Sequence, residues 1–148
     1  MHCFKQLSLL LLILFTLLLS ACFDEDPSKI TTVNDPEIVA MAFFDALYNE
    51  KNVEKAASVC TPKLARLILH YRSSEAVGRH LFNMSYDIVK MSPDSSGVKV
   101  REQFKGKANI TIYFDGHYQE NRIKDVKRLA IVQQNGKWFI DKLLKDPF

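Results

Sequence analysis

The chain has 148 residues, 20 of them basic and 17 acidic, giving a formal charge of +3 with 47% hydrophobic residues. That is enough chain to bury the core of one ordinary domain, and a balance this close to neutral offers no electrostatic basis for binding nucleic acid. Three cysteines, Cys3, Cys22 and Cys60, do not make a disulfide scaffold.

Residues 1–21 read as a processing segment. Lys5 supplies a positive start, Leu7 to Leu19 form an almost unbroken apolar run, and Ser20 and Ala21 put small residues before Cys22. The run is shorter than the ~20 apolar residues that cross a ~30 Å hydrocarbon layer. Leu19-Ser20-Ala21-Cys22 resembles the lipobox of bacterial lipoproteins at every position. That resemblance implies signal-peptidase cleavage between Ala21 and Cys22, a diacylglyceryl thioether on Cys22, and acylation of the new N-terminus. Cysteine is required there because its thiolate takes the lipid, and several acyl chains (palmitate or similar) hold far better than one. By the lipoprotein sorting pattern, Phe23 after the cysteine implies the periplasmic face of the outer membrane rather than retention at the inner one.

Cleavage leaves the 127 residues Cys22–Phe148 with a formal charge of +2. Cys60 is then the one free thiol, and its place in Ala56-Ala57-Ser58-Val59-Cys60 suits a buried small hydrophobe better than a nucleophile or a bridge between copies. Residues 22–35 are polar and aperiodic, and read as a lipidated N-terminus and flexible tether with a reach of ~20 Å. The remaining residues, 36–148, form the expected domain.

Asn34 or Asp35 can cap a first helix, with Pro36 in its first turn and Val39, Ala42, Phe43, Ala46 and Leu47 on one stripe. Phe44 and Tyr48 fall beside that stripe, either broadening the packed face or forming a surface for a second copy. Asn52 can cap a short second helix. Thr61-Pro62 opens a third, with Leu64, Leu67, Ile68 and Tyr71 on one side. Ser74 to Phe82 suggests a fourth, weakened by Gly78. Beyond Met84 the period falls to two. A strand at 98–104 is predicted, then one in which Ala108, Ile110, Ile112 and Phe114 oppose Asn109, Thr111 and Tyr113. Two further strands flank Asn135-Gly136, a strong hairpin signal, and Asp115-Gly116 reads as another turn. Helices followed by antiparallel strands predict an α+β domain, its helices packed on a sheet of four to five strands.

The opening "AMAFFDALYNEKNVEKAASVCTPKL" and the closing "LAIVQQNGKWFIDKLL" resemble nuclear-transport-factor-2-like domains. The resemblance implies a cone of helices on a curved sheet, and, more narrowly, a bacterial lipoprotein of uncharacterised function carrying such a cone. It also implies sheet-to-sheet dimers as a usual assembly. Enzymes of that superfamily place Asp, His or Tyr inside the open end of the cone, where burial retunes a carboxyl or phenol.

The candidates for such chemistry are few. Tyr86 and Asp87 are adjacent on a predicted strand, so one of the two faces the interior. Asp45 lies off the first helix's stripe, His70 at the boundary of the third, Tyr113 on the polar side of its strand, and His117 and Tyr118 in a predicted hairpin loop. His2, His70, His80 and His117 show no metal-binding spacing. No phosphate-binding glycine loop or nucleophile turn occurs, so neither cofactor nor metal is expected. Lys99, Arg101, Lys105, Lys107, Arg122, Lys124, Lys127 and Arg128 all fall in the strand half, either as a solvated outer face or as a dock for an anionic envelope component or protein. The expectation is a membrane-anchored binding or scaffold module. The alternatives are a small-molecule carrier or isomerase-like enzyme, and an immunity-type inhibitor of an envelope toxin.

Overall fold

The computed structural model describes residues 35–94 and 106–145. The lipobox, the tether up to Asn34 and the predicted strand at 98–104 lie outside the described residues. In chain order come α1 (Pro36–Tyr48), α2 (Val53–Ser58), α3 (Pro62–His70), α4 (Ser74–Val77), a π turn (Gly78–Phe82), and then β1 (Ile88–Pro93), β2 (Lys107–Tyr118), β3 (Asn121–Gln134) and β4 (Lys137–Leu144). Among the described residues the strands make one antiparallel sheet in the order β1-β2-β3-β4. The α+β expectation holds at that level.

The caps are local chemistry. Asp35 accepts from Glu37 N at 2.9 Å to start α1, and Asn52 accepts from Lys55 N at 2.8 Å to start α2. Ser73 caps α4, its hydroxyl accepting from Ala76 N. Gly78 does not end the helical run but widens it. Its carbonyl receives Met84 N at 2.9 Å, and the turn closes on Asn83 in the left-handed region at φ 54°.

Strand β2 buries Ala108, Ile110, Ile112 and Phe114 as its alternation predicts. Leu129 and Ile131 of β3, Trp138 and Ile140 of β4, and Val89 of β1 complete the inner face. Helix α1 covers it. Phe44 meets Phe114 edge-on, with centroids 4.8 Å apart at 89°, and Phe43 and Phe82 pack beside them. Phe44 and Tyr48, at 0% and 3% exposure, therefore broaden the packed helix face and offer no surface to a second copy. Burying one such phenylalanine stabilises the fold by ~1.5–3 kcal/mol.

Two expectations fail for physical reasons. Leu67 is 42% exposed although it shares helical spacing with the buried Leu64 and Ile68, because α3 presents only a narrow strip inward. Asp115-Gly116 is not a turn: these residues pair with Lys124 and Ile123 within β2. The chain reverses instead at Gln119 and Glu120, with φ 47° and 68°. His117 and Tyr118 thus end a strand. Asn135 and Gly136, at φ 50° and 78°, form the second hairpin turn where expected.

The helical layer is stitched to the sheet at one further place. Thr61 N donates to Ile140 O at 2.8 Å and Ile140 N to Val59 O at 2.9 Å, a parallel bridge beside β4. Cys60 lies within that bridge, buried, its thiol donating to Ala56 O, and burial pushes its pKa far above the usual thiol range. Such a thiol is packing, not chemistry.

Candidate functional site

A pocket of about 450 Å³ opens where the end of α1, the start of α4 and the π turn meet the segment before β1 and the end of β2. Tyr48 is the last residue of α1, and Ser74 the first of α4. Lys51, held at φ 55° just past α1, donates from Nζ to Tyr86 O at 3.0 Å and so ties the two walls together. Tyr86 stands perpendicular to Tyr48, with ring centroids 5.5 Å apart, and stacks on Phe114 at 6.1 Å.

Two glycines make this arrangement possible. A Cβ on Gly78 would come within 2.8 Å of Met84 O and 3.2 Å of the Tyr48 ring. A Cβ on Gly116 would come within 2.7 Å of the Tyr86 ring and 2.6 Å of Ile88 O. A side chain at Gly78 would thus press on Tyr48, and one at Gly116 on Tyr86.

Among the described residues, three buried side-chain oxygens have no hydrogen-bond partner: Tyr48 Oη, Ser74 Oγ and Tyr86 Oη. All three residues line this pocket. A buried hydroxyl left unpaired costs ~1–3 kcal/mol. Burial pushes both phenols above their ordinary range, and for Tyr86 the Asp125 and Asp115 carboxylates add to the effect. Both remain protonated, each able to donate and accept.

Of the adjacent pair Tyr86 and Asp87, Tyr86 enters the interior, although both precede β1 rather than lying on it. Asp87 is exposed, and its carboxylate accepts from Gln119 N at 2.8 Å, supporting the β2–β3 turn. Tyr118 borders the pocket from the end of β2. Asp45 accepts from Asn49 Nδ2 on the helix surface, His70 and His117 are exposed, and Tyr113 is 43% exposed on the outer sheet face. His80 stacks on Tyr71 at 5.8 Å. No group of three His, Cys, Asp or Glu among the described residues could hold a metal. Nothing in the spacing of Ser74, Tyr48 and Lys51 marks them as a site. The one local signal near them is Gly78, a glycine interrupting a helical pattern.

The basic residues divide. Register places Lys107, Arg122, Lys124 and Arg128 on the outer face, opposite Val132, His117, Asp115 and Thr111 respectively. Arg122 grips Asp115 with two nitrogens, Nε to Oδ1 at 2.7 Å, and Lys124 stands 3.9 Å away. The Arg122 guanidinium thereby holds the Asp115 carboxyl below its usual range. Lys127 points the other way, buried opposite Ile112 with its ammonium 3.4 Å from Asp125. It leaves the predicted basic face because the strand's alternation turns it inward. Lys99, Arg101 and Lys105 lie outside the described residues.

Compared with known proteins, the chain matches no family model, no curated protein and no solved structure.

Proposed function

We propose that the chain is a lipid-anchored, non-catalytic binding module on the periplasmic face of the bacterial outer membrane. Cys22 carries the lipid, residues 22–35 the tether, and residues 36–148 a cone of the nuclear-transport-factor-2-like kind. The lipobox pattern supports the anchor, and the order of helices and sheet is compatible with the cone.

One observation favours binding over turnover. The polar atoms buried at the pocket wall are neutral hydroxyls, and two of the four charged residues that line it are already engaged, Lys51 by Tyr86 O and Asp87 by Gln119 N. General acid–base catalysis needs a titratable group within reach of the substrate proton and tuned near the working pH. Protonated phenols hold a ligand well and exchange protons poorly.

The test combines fractionation with native mass spectrometry of the full chain made in bacteria. Wild type is expected in the outer-membrane fraction, and Cys22→Ala in the soluble one. Protein extracted from membranes is expected to carry an adduct that is lost on denaturation and recovered chemically unchanged. Membrane retention of Cys22→Ala rejects the anchor, and recovery of an altered molecule after incubation rejects the non-catalytic reading. The outer sheet face favours a second reading, in which Lys107, Arg122, Lys124 and Arg128 meet an anionic envelope component or an acidic protein surface.

A further inference from the structure

The three unpartnered hydroxyls carry more than the existence of a binding site. Resting on the binding function proposed for this pocket, we infer that it takes a neutral, hydroxyl-rich ring, a sugar unit, rather than a phosphate, a carboxylate or an ammonium.

The chemistry of the lining points that way. Two phenols and a serine hydroxyl can each give one hydrogen bond and accept others, which matches a ligand whose own groups do both. Charge around them is balanced, with Lys51 and Arg79 against Glu75 and Asp87. With two charges of each sign, neither an anion nor a cation gains a net attraction there. A neutral ligand needs none. Apolar surface is supplied by Met84, the Gly78 backbone and the tyrosine rings, which suits the C–H face of a pyranose. The volume of about 450 Å³ lies in the ordinary range for small-molecule sites.

The hydroxyl oxygens lie just beneath the pocket surface, closed to water. A small swing about χ1 of the Ser74, Tyr48 or Tyr86 side chain that presents its hydroxyl to a ligand exchanges an unmade hydrogen bond for a made one. The ligand is therefore rewarded for opening the wall, whereas water, which would have to be immobilised in a narrow space, is rewarded less. Gly78 and Gly116 set the rings at that boundary: a methyl at either position meets a ring before any ligand does.

The test uses the full mature chain in a detergent without a sugar headgroup. Glucose, galactose and N-acetylglucosamine are titrated beside inorganic phosphate and choline, with binding read by saturation-transfer NMR. At least one of the three sugars is expected to bind in the millimolar range, and neither charged probe to compete with it. Tyr86→Phe and Ser74→Ala each remove one hydroxyl with little change of shape. Each is expected to weaken that sugar by about tenfold, the worth of roughly one hydrogen bond, without lowering the melting temperature. Ser74→Ala decides the matter if Tyr86→Phe folds poorly.

The inference is overturned if no sugar binds up to roughly 50 mM, far above the millimolar range. Undiminished binding by both variants, or displacement of the sugar by phosphate or choline, overturns it as well. Failure here is separable from failure of the broader reading. A non-sugar adduct on membrane-held wild-type protein removes the sugar and leaves the anchored binding module standing, whereas soluble wild type without an adduct removes the module.

Discussion

Replacing Gly116 by alanine distinguishes the observed strand from the turn that Asp115-Gly116 suggests. In a tolerant position with ordinary backbone angles, glycine to alanine stabilises by ~0.4–1 kcal/mol, because the unfolded chain loses freedom. Gly116 has such angles, since its φ is not positive. Its surroundings are not tolerant. The new Cβ would stand 2.6 Å from Ile88 O, 2.7 Å from Tyr86 Cδ1 and 2.9 Å from Val89 Cβ. The first belongs to the paired backbone of β1 and cannot retreat without loosening the ladder, and the second belongs to a ring held between Tyr48 and Phe114. Overpacking of this kind costs ~1–3 kcal/mol. Set against the entropic gain, the net effect is a destabilisation of about 1–2 kcal/mol, or a melting temperature lowered by roughly 4–8 °C for a domain of this size.

The assay is urea unfolding followed by the fluorescence of Trp138, the chain's single tryptophan and 1% exposed. The midpoint should fall with an unchanged slope. In a Tyr86→Ala background the cost of Gly116→Ala should shrink, because one of its three obstacles is gone. An unchanged or raised midpoint for Gly116→Ala would refute the placement of Tyr86, and with it the wall of the pocket.

The hairpins and the outer face give two further outcomes. Gln119 and Glu120 hold positive φ without the residues that favour it, so replacing them by Asn-Gly should stabilise the protein by about 1 kcal/mol in the same urea assay. The Asp87 bond to Gln119 is to the backbone and survives the change. Asp115 has a carboxyl pKa lowered by Arg122 from its ordinary value of 3.8, so its pairing supports the fold fully above that value and is lost as pH falls through the lowered native one. NMR titration of the Asp115 carboxyl should show the lowered midpoint in wild type and its return toward 3.8 in Arg122→Gln. The Arg122 and Asp115 side chains are 60% and 40% exposed, so solvent screens the pair and the global effect is small.

Legibility in the sequence depends on where a rule is local. The alternation of Ala108, Ile110, Ile112 and Phe114 is readable because one face of β2 is covered by helices and the other is wet. Asn135-Gly136 is readable because those two residues adopt positive φ cheaply. Gln119-Glu120 carries no such mark. Its turn is imposed by strand pairing on either side and by a carboxylate from a distant segment, so the local Asp115-Gly116 signal misleads. Tyr86 stands out in the sequence for being next to Asp87 in a region of alternation, yet what matters is its meeting with Tyr48 and Ser74. Those three come from separate segments with no common spacing, and only the fold brings them together.

The bridge between Cys60 and Ile140 also bears on the order in which the molecule can be completed. It ties the connection between α2 and α3 to a strand some eighty residues later in the chain, through Thr61 N, Ile140 O and the contact of Thr61 with Asp141. A chain that emerges N-terminus first presents Phe43 and Phe44 well before Phe82 and Phe114 arrive to pack on them. Contacts this distant in sequence form slowly, and apolar surface waiting for them invites association. The helical half thus depends on strands made after it, and a nascent chain stopped before Lys107 would present its aromatic face to whatever escorts it.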